Sequence, residues 1–599
     1  MKYKLYDKAT NDTSNIIKEV LKNRGIDDYQ SYLHLTDKVV IPWENLDNMF
    51  EAVNLFESHY SGKNVISILV DEDPDGFCSA AMMYLYIKEM DKTYPVEYIM
   101  HRRAKSHGLS DDVTIPSNTK LLIVPDAGTN DVNECKELKE RGIDILILDH
   151  HEKEVNNPYA IIVNNQMSGS YENKNLCGAG VVYRFLQALD DYYWTEYADD
   201  YLDLCALANI SDVMDMRSFE TRYFTNTGLR HINSQLLQAL IKAQDYSMGG
   251  KVNIHNVQWN LTTILNGMIR VGSLEEKDLL FRAFTEQDEF FEYKKRATKD
   301  RPAEVIQESI YDRAARLCKN AKSRQDKMRE KATIEISELV KQNNDYDKVI
   351  IADVTDILDS GLTGVVAIKI ADIFKRPCVL LKKHKLKNGA LVYGGSARNL
   401  DNSPIESFKD VLNSTGLITA QGHANACGIV DLPVEDKDAA IKALNEQLKD
   451  IIYDSTYYVD FILEPDEVTI PFCYQFEDLD DLYAQGIKDC LITVENIELT
   501  RDQITVFGKN EDTISFMYND VKYIMFKCKP GNGLYDFVQD AWDDNYAITI
   551  DIVGVPGINE YDSVKTAQVI IKDVNVIHIV KDSESRSGGN FEDDDDIWG

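Results

Sequence analysis

The chain has 599 residues, of which 44% are hydrophobic and 28% are charged. This composition is typical of a globular protein with several domains and excludes a disordered chain. Asp and Glu outnumber Lys and Arg by 100 to 65, and the formal charge of -35 excludes a protein that coats nucleic acid nonspecifically with its whole surface. The cysteines include no C-x-x-C pair, so neither a disulfide framework nor a thiolate zinc site is indicated.

The first predicted elements are helices, and a parallel sheet follows them. Residues 1–60 predict a helical lead-in. Short apolar runs rich in β-branched residues then occur at 65–70, 120–126, 144–150 and 159–164, separated by helix-compatible stretches. This alternation predicts a parallel α/β sheet, and the mainly helical pattern that follows completes a first domain over residues 61–290.

The second half of the chain predicts four further regions. Residues 291–340 are basic and contain few helix breakers after Pro302, which predicts a long connecting helix. Strand-like runs return after residue 347, so residues 341–454 are expected to form a second, smaller α/β domain. Short strands separated by turns over residues 455–580 predict a small β-barrel. Residues 581–599 are expected to form a disordered acidic tail.

Acids and histidines follow three of the predicted strands. In chain order these residues, with one more acid in a later helical segment, are Asp71, Glu72, Asp73, Asp75, Asp126, Asp149, His150, His151 and Asp212. The carboxyl ends of parallel strands meet at one edge of a sheet, so these side chains are expected to converge. Carboxylate and imidazole ligands without thiolate favour Mg²⁺ or Mn²⁺. So many carboxylates predict two ions about 4 Å apart, an arrangement suited to phosphoryl displacement.

A calcium site is the alternative reading of the first acidic stretch. DEDPDG, which begins at Asp71, fits the first half of an EF-hand loop. However, Met82 occupies the twelfth position, where that loop needs Glu, and a strand precedes the stretch instead of a helix. A structural turn also stays open for each acid taken alone. The recurrence of acids in four segments favours the divalent site.

The motifs VDEDPDG, VPDAG, LDHHE and ISDVMD resemble, in this order, the four motifs of the DHH phosphoesterase superfamily. Further segments resemble RecJ nucleases: NKNLCGAGVVYRF after the DHH motif, and GGSARN and QGHANACG in the DHH-associated substrate-binding domain. The lead-in resembles that of RecJ, and residues 455–580 resemble its OB-fold barrel. The chain is therefore similar over nearly its whole length to single-stranded-DNA-specific exonucleases of the RecJ type.

The resemblance implies a role for each residue of the acidic set. The ligands of two Mn²⁺ or Mg²⁺ ions would be Asp73, Asp75, Asp126, His150 and Asp212. Asp126 would bridge the two ions, and Asp71 and Asp149 would orient the ligands. His151 would face the scissile phosphate. The attacking water would be activated by the cations, so no side-chain nucleophile is expected.

A second set of residues is implied to bind substrate phosphate. Its members are Arg270, Gly395, Ser396, Arg398, Gly422 and His423. In RecJ-like proteins such groups hold the 5′ phosphate of single-stranded DNA, which would make this chain a 5′ to 3′ exonuclease that releases 5′ mononucleotides. Judged without the resemblance, Gly-Gly and Gly-His pairs are also common in ordinary turns. Ile264 occupies a position where the family often has arginine, so that phosphate contact is not carried over.

Three other functions are weighed against this exonuclease of DNA repair, recombination or replication. A DHH phosphodiesterase of short oligonucleotides or cyclic dinucleotides generally lacks the barrel and the lead-in. The second domain of manganese pyrophosphatases lacks the two glycine-rich motifs. A catalytically inactive replication scaffold typically loses its metal ligands, whereas every acid of the four motifs is present in this chain.

The partners and location are also predicted. The end of the chain resembles the acidic, apolar-ended tips of single-stranded DNA-binding proteins, through Asp593, Asp594, Asp595, Asp596, Ile597 and Trp598. It could bind a replication or repair protein or compete with DNA for a basic channel, and the alternative is a solvated tail. No stretch approaches the ~18 apolar residues that span a bilayer, and the first residues lack an apolar signal segment. A cytoplasmic monomer that binds no membrane is expected.

Overall fold

The structure is a computed structural model in which residues 1–102, 107–110, 112–295, 297, 302–342, 347–386, 389–400, 403–453, 456–508, 511–528, 531–539, 546–561 and 564–581 are described. The chain forms two compact units, of which the terminal unit contains residues 1–34 and the residues from 455 onward, and the central unit contains residues 35–454. The predicted acidic tail from Asp593 to Trp598 lies outside the described residues. None of the described helices is long and apolar enough to cross a membrane.

The predicted helical lead-in is divided between the two units. Its first elements are β1 (Lys2–Leu5), α1 (Ile16–Asn23) and α2 (Tyr29–Leu33), and they belong to the terminal unit. Strand β1 pairs in parallel with residues 456–459. Helix α3 (Met49–Ser61) belongs to the central unit. Strand pairing with a segment far along the chain therefore separates the first 34 residues from the rest of the predicted lead-in.

A five-stranded parallel sheet forms the first part of the central unit, as predicted. Its elements are β2 (Ile66–Val70), α4 (Pro74–Met90), β3 (Val96–Met100), β4 (Leu121–Pro125), α5 (Val132–Glu140), β5 (Asp144–Asp149) and β6 (Ile161–Asn164). The strand order is β3-β2-β4-β5-β6, and every neighbouring pair is parallel. All residues of β2 and β4 are buried, as expected for parallel strands covered on both faces.

The expected helical part of the first domain follows this sheet. It consists of α6 (Gly178–Tyr193), α7 (Leu202–Ser211), α8 (Phe219–Arg230), α9 (Gln235–Met248), α10 (Ile254–Asn256), a π-helical turn (Val257–Leu261), α11 (Thr262–Val271) and α12 (Leu274–Phe284). Helices α6 and α7 pack against α4. Their ends therefore lie close to the carboxyl edge of the sheet.

The basic region predicted as one helix over residues 291–340 contains a hairpin as well. Its elements are β7 (Phe290–Lys295), β8 (Glu304–Ser309) and α13 (Ile310–Lys341). The hairpin contacts the helix. The guanidinium groups of Arg313 and Arg316 on α13 lie 4.4 and 4.0 Å from the ring centroids of Phe291 and Tyr293 on β7. These cation–π contacts favour a strand that presents aromatic residues on one face.

The second α/β part of the central unit is a mixed five-stranded sheet. Its elements are β9 (Ile350–Asp353), α14 (Thr363–Phe374), β10 (Cys378–Lys385), β11 (Leu391–Arg398), α15 (Phe408–Ser414), β12 (Thr419–His423), β13 (Ala426–Pro433) and α16 (Lys437–Gln447). The order is β12-β13-β11-β10-β9, parallel only between β9 and β10. The GGSARN motif lies in β11, and QGHANACG forms the turn between β12 and β13.

The C-terminal residues form a large sheet whose closure into a barrel is not confirmed. The elements are β14 (Thr456–Val459), β15 (Phe461–Leu463), α17 (Ile470–Tyr474), β16 (Ile492–Thr500), β17 (Thr505–Phe507), β18 (Thr513–Tyr518), β19 (Val521–Met525), α18 (Gly533–Gln539), β20 (Tyr546–Tyr561) and β21 (Val564–Lys581). The seven-stranded order is β15-β16-β20-β21-β19-β18-β17. Within the described residues, β15 and β17 do not pair with each other. Strands β20 and β21 instead pair along their whole length as an extended hairpin.

A buried ion pair fastens the first residues of the chain to this C-terminal sheet. The Arg24 guanidinium donates hydrogen bonds of 2.6 and 2.9 Å to the two carboxylate oxygens of Asp460, and the side chains are only 4% and 0% exposed. Arg24 also donates to the carbonyl oxygens of Lys488 and Asp489. Asp460 accepts a further bond from the backbone N–H of Leu491. The pair is therefore fully hydrogen-bonded, which a buried ion pair requires.

Candidate metal centre

The five predicted metal ligands converge at the carboxyl edge of the parallel sheet. His150 Nε2 lies 3.3 Å from Asp126 Oδ1, 3.5 Å from Asp212 Oδ2 and 3.9 Å from Asp75 Oδ2. Ligand atoms of Asp71, Asp73 and Asp126 also lie within 4.8 Å of one another. Asp126 belongs to both groups, as the predicted bridging position requires. Asp212 reaches the centre because it follows directly on the C-terminus of α7.

Asp126 is held at the end of β4 by an unusual backbone conformation. Its φ angle is 64°, in the left-handed region that few residues other than Gly, Asn and Asp adopt. Its N–H donates a 2.8 Å hydrogen bond to the carbonyl oxygen of Leu148 in β5. Gly178, the first residue of α6, lies so close that an added Cβ would meet Asp126 Oδ1 at 2.5 Å. Gly178, the first glycine of the GAG segment, is therefore needed for α6 to approach this carboxylate.

The start of α6 also binds the Asp75 carboxylate. The N–H groups of Gly178 and Ala179 donate hydrogen bonds of 2.8 and 2.7 Å to its two oxygens, and Ser79 Oγ donates a third. A helix N-terminus favours a negative group at this position. Asp73 in turn caps α4, because its Oδ1 accepts a hydrogen bond from the N–H of Gly76. Both carboxylates are therefore fixed by backbone groups before any cation binds.

The electrostatics of the cluster fit bound cations. Burial and the neighbouring Asp73 carboxylate raise the pKa of Asp75 to about 6. Burial and the Asp75 charge raise the pKa values of Asp126 and Asp212 well above the usual range. Asp126 Oδ1 and Asp212 Oδ2 are buried without a hydrogen-bond partner among the described residues. Buried, unpaired and mutually repelling oxygens are tolerated where a metal ion balances them.

His150 supports the same conclusion. Burial and the adjacent His151 lower the pKa of His150 to about 3, so at neutral pH its ring is uncharged and forms no ion pair with the three carboxylates around Nε2. A neutral imidazole nitrogen placed among carboxylate oxygens is the arrangement of a metal ligand. Imidazole and carboxylates together suit Mn²⁺ or Mg²⁺.

Asp149 holds His151 on the open side of the cluster. The Asp149 carboxylate accepts hydrogen bonds from the N–H groups of Thr129, His150 and His151 and contacts the Nδ1 of His151 at 2.7 Å. Burial alone would raise the pKa of Asp149, but the His151 charge and these hydrogen bonds hold it well below the usual range. The His151 side chain remains 41% exposed. Asp149 therefore holds an accessible imidazole next to the predicted metal ligands.

Two predicted phosphate-binding arginines lie beside the cluster without a carboxylate partner. Burial lowers the pKa of Arg270, and the charge of Asp73 opposes that change, which places Arg270 near a metal ligand. Burial and the Arg270 charge lower the pKa of Arg398, so the two guanidinium groups are neighbours. Neither forms an ion pair within the described part of the chain. Guanidinium groups without a carboxylate partner are suited to bind an anion.

The remaining predicted phosphate ligands lie on the second sheet. Ser396 on β11 shares a 2.8 Å hydrogen bond with the hydroxyl of Thr363. An added Cβ on Gly395 would meet the carbonyl oxygen of Leu380 at 2.1 Å, so only glycine fits there. Gly422 has a φ angle of 108°, which glycine adopts readily. Burial and then the His151 charge lower the pKa of His423, which places this imidazole in the neighbourhood of His151.

Known proteins resemble this chain over much of its length. Residues 65–209 match the model of the DHH family, N-terminal domain. The SPbeta prophage-derived single-strand DNA-specific exonuclease YorK of Bacillus subtilis is 35% identical over 562 residues, which cover 93% of this chain and 95% of YorK. The chain belongs to the RecJ-like family of DHH proteins. The single-stranded-DNA-specific exonuclease RecJ of Bacillus subtilis is 26% identical, with 94% of this chain and 68% of RecJ covered.

The RecJ-like fold is also seen in solved structures. The crystal structure of RecJ from Thermus thermophilus in complex with Mn²⁺ matches with a TM-score of 0.69 over 96% of this chain and 78% of that chain. The sequence identity is 17%, so this match bears on the fold alone. It agrees with the parallel sheet, the second sheet and their order along the chain.

Two histidines of this RecJ-like centre were not predicted. His107 Nδ1 lies 2.8 Å from Asp71 Oδ2, and its ring centroid lies 4.7 Å from that of His151. His101 Nε2 lies 3.6 Å from the other Asp71 oxygen. Asp71 also accepts a 2.9 Å hydrogen bond from the N–H of Gly108. His101 directly follows β3, so the strand-end argument would have found it if β3 had been predicted.

Proposed function

We propose that this RecJ-like protein is a two-metal-dependent exonuclease that hydrolyses single-stranded DNA from its 5′ end to 5′ mononucleotides. The observation that carries the proposal is the convergence of Asp73, Asp75, Asp126, His150 and Asp212 around buried oxygens that have no hydrogen-bond partner in the described part of the chain. YorK and RecJ are named as single-strand DNA-specific exonucleases, and this supports the substrate class. The acidic tail as a protein-binding site, the monomer and the cytoplasmic location stay predictions.

The residues present fit Mn²⁺ or Mg²⁺, the ions named in the two Thermus thermophilus RecJ structures. Asp73 would be a ligand of one ion, Asp75, His150 and Asp212 would be ligands of the other, and Asp126 would be shared by both. When bound, two such cations supply an activated water and balance the charge of the transition state. The remaining chemistry belongs to the chain itself.

The side chains around the ligands would orient the scissile phosphate. Asp71 and Asp149 are anchored by backbone N–H groups and contact His107 and His151 respectively. They would fix the imidazoles and the ligand carboxylates in place, as hydrogen-bonded carboxylates do around metal sites. His151, exposed and held by Asp149, would contact the phosphate that is cut. No serine, threonine or cysteine nucleophile is required for this scheme.

The substrate end would be held by residues of α11 and of the second sheet. Arg270, Ser396 and Arg398 would bind the 5′ phosphate, and Gly422 and His423 would lie close to the adjacent backbone. Two charged guanidinium groups in a largely buried setting bind phosphate oxygens through planar, paired hydrogen bonds. Binding of the 5′ phosphate in this pocket would set the 5′ to 3′ direction of cleavage. It would also place the bond after the first nucleotide at the metal centre, so that single nucleotides are released. The C-terminal sheet would add binding surface for longer strands, as OB-fold domains do.

A phosphodiesterase of short oligonucleotides is the second candidate. It would use the same metal ligands and the same phosphate pocket, and it would cut dinucleotides faster than long strands. Coverage of 95% of YorK, including its C-terminal region, favours the exonuclease of longer strands. An inactive scaffold is disfavoured because all five ligands are present and brought together.

The proposed activity is tested with one 5′-phosphorylated oligonucleotide labelled at either end. In Mn²⁺, a 5′ label is expected to appear in mononucleotide from the first time points, whereas a 3′ label should pass through progressively shorter fragments. Duplex DNA of the same sequence should be degraded much more slowly. Early release of mononucleotide from the 3′ label would contradict the polarity. Preference for dinucleotides over the long strand would favour the second candidate.

Substitution of Arg398 should change the response to the 5′ phosphate. Arg398→Ala removes a charged hydrogen-bond donor worth about 1.5–3 kcal/mol, so kcat/KM for 5′-phosphorylated DNA is expected to fall by roughly 10- to 100-fold. Activity on 5′-hydroxyl DNA should change little, and Arg398→Lys should be intermediate because it keeps the charge without the planar fork. Steady-state kinetics on both substrates measure this.

Lys385→Met is the matched control for the Arg398 variants. Lys385 lies at the far end of the β10–β11 hairpin, whereas Arg398 pairs with Cys378 at the other end. The side chain of Lys385 is exposed, so its loss should leave both activities unchanged. An equal loss on the two substrates in Arg398→Ala would show that Arg398 does not read the 5′ phosphate.

A further inference from the structure

A stripe of polar and aromatic residues runs along one side of the helix that carries Arg270. The stripe, here called the α11 stripe, consists of His255, Trp259, Thr263, Asn266 and Arg270, spaced by three or four residues as one helix face requires. All five are exposed or half-buried, whereas the residues between them are mostly buried. Trp259 is 62% exposed. The face is therefore open along its length and ends at the proposed phosphate site.

The sequence around the α11 stripe contains no acidic residues, although the chain as a whole is strongly acidic. About one residue in six is Asp or Glu over the whole sequence, yet none of residues 246–274 is acidic. Residues 373–400 and 411–430, which contain the other proposed phosphate ligands, also include no Asp or Glu. Absence of acids removes repulsion toward a polyanion in restricted parts of an otherwise negative molecule. The α11 stripe shares this property with the phosphate pocket.

The side chains of the stripe keep free groups for a ligand. Asn266 forms no side-chain hydrogen bond with the described residues, and neither does the indole N–H of Trp259. Thr263 Oγ donates to the carbonyl oxygen of Trp259 at 3.0 Å, so its lone pairs stay available to accept a hydrogen bond. The ring of His255 lies 6.3 Å from that of Trp259, so two aromatic faces occur together at the end of the stripe opposite Arg270. Trp259 lies in the π-helical turn, a local form that occurs frequently at functional sites.

We propose that the α11 stripe is the track along which the single-stranded DNA substrate runs from its bound 5′ phosphate toward its 3′ end, with Trp259 as the base-stacking platform at its outer end. This inference rests on the proposed exonuclease function and adds which residues hold the strand. Arg270 holds the 5′ phosphate next to the metal ligands, Asn266 and Thr263 offer polar groups to the nucleotides that follow, and a base stacks on the indole of Trp259. Stacking on an aromatic ring tolerates every base, as a nonspecific exonuclease needs.

The length of the stripe sets a substrate length at which Trp259 begins to matter. Trp259 and Arg270 are separated by about 16 Å along the helix axis, at 1.5 Å per residue. A stacked strand rises 3.4 Å per nucleotide and an extended one up to about twice that, so the distance corresponds to roughly two to five nucleotides. A dinucleotide held at the metal centre cannot reach Trp259. Strands of about eight nucleotides or more reach it in every conformation.

Binding and cleavage of a 5′-phosphorylated dT12 and a 5′-phosphorylated dinucleotide test the proposal. Trp259→Ala is expected to raise the Kd for dT12, measured in EDTA so that no bond is cut, by about 5- to 100-fold. Turnover of the dinucleotide in Mn²⁺ should stay as in the wild type. Trp259→Phe should restore most of the affinity, because it restores an aromatic face. Quenching of tryptophan fluorescence by dT12 should be large in the wild type and mostly lost in Trp259→Phe.

Trp194→Ala is the matched control. Trp194 is 94% exposed in the same unit but lies at the end of α6, away from the stripe. Its loss should leave dT12 affinity unchanged. Wild-type affinity in Trp259→Ala, or an equal loss in Trp194→Ala and Trp259→Ala, would overturn the assignment of Trp259. A wild-type protein that leaves both substrates uncut would instead contradict the exonuclease itself, so the two failures are distinguishable.

Discussion

Asp126→Asn is expected to abolish cleavage of single-stranded DNA and, at the same time, to make the metal-free protein more stable. Asp126 lies within 4.8 Å of the ligand atoms of His150 and of those of Asp71 and Asp73, so its loss should weaken both ion sites. Substitution of groups that only orient metal ligands already costs about 10- to 100-fold, and a shared ligand should cost more than about 100-fold in turnover. Asn also adopts the left-handed φ of this position, so the backbone at the end of β4 should be preserved.

The gain in stability follows from the sign of the pKa shift. Burial and the Asp75 charge raise the pKa of Asp126, so the folded protein binds this proton more tightly than the unfolded chain does. At neutral pH, above the unfolded value, ionisation of Asp126 therefore costs free energy of folding. A neutral amide removes that cost, and an increase of roughly 0.5–2 kcal/mol is expected, as is common when a functional group is replaced.

Thermal unfolding with and without Mn²⁺, together with calorimetric titration of Mn²⁺, measures both effects. The wild type should gain stability on Mn²⁺ addition, and Asp126→Asn should gain much less because it binds the ion weakly. Asp144→Asn, at the opposite end of β5 and paired with Lys139 and His59, is the matched control and should keep both turnover and the Mn²⁺ response. Undiminished Mn²⁺ binding by Asp126→Asn would contradict the assignment of Asp126 as a ligand of the metal centre.

Arg24→Met is expected to destabilise the terminal unit by about 3–5 kcal/mol, the usual cost of removing one partner of a buried ion pair. The substitution leaves the Asp460 carboxylate buried at 0% exposure with its charge unbalanced. It also removes the donors that satisfy the carbonyl oxygens of Lys488 and Asp489. The first 34 residues should consequently become accessible to proteases, whereas the parallel sheet of the central unit should remain protected.

Urea unfolding and limited proteolysis measure this loss. Adding Asp460→Asn to Arg24→Met should recover part of the stability, since the unbalanced charge is then absent, and a double-mutant cycle gives the coupling energy. Lys4→Met removes the exposed Lys4–Asp7 pair and should cost less than about 1 kcal/mol. A cost for Arg24→Met as small as that of Lys4→Met would show that the buried pair does not hold the lead-in.

The sequence predicted the fold correctly where a residue pattern is compatible with only one type of secondary structure. The runs of β2, β4 and β5 are mostly apolar and almost entirely buried, which suits a strand covered on both faces. Strand β3 was missed because it lies at the edge and mixes buried residues with half-buried and exposed ones. The β7–β8 hairpin was missed because its charged residues are equally compatible with a helix, and its contact with α13 is a tertiary effect. Barrel closure depends on strand order, which local patterns do not specify.

The candidate site was predictable to a similar degree. Ligands at strand ends, such as Asp126 and His150, follow from topology, because parallel strands place their carboxyl ends together. His107 comes from a connecting loop without a pattern, and only the structure brings it to Asp71. Trp259 was one of five tryptophans, and exposure on the face of Arg270 distinguishes it. Sequence indicated the chemistry of the centre, whereas the path of the substrate required coordinates.

The pairing of β1 with β14 has a consequence for the order in which the molecule can be made. During synthesis the first 34 residues leave the ribosome before any of their partners near residue 460 exist, and the whole central unit is translated in between. Contacts so distant along the chain are slow to form and late in folding. The nascent lead-in therefore cannot reach its final structure until the last quarter of the protein has been synthesised. Until then Arg24 stays hydrated, because Asp460, its ion-pair partner, has not yet been made.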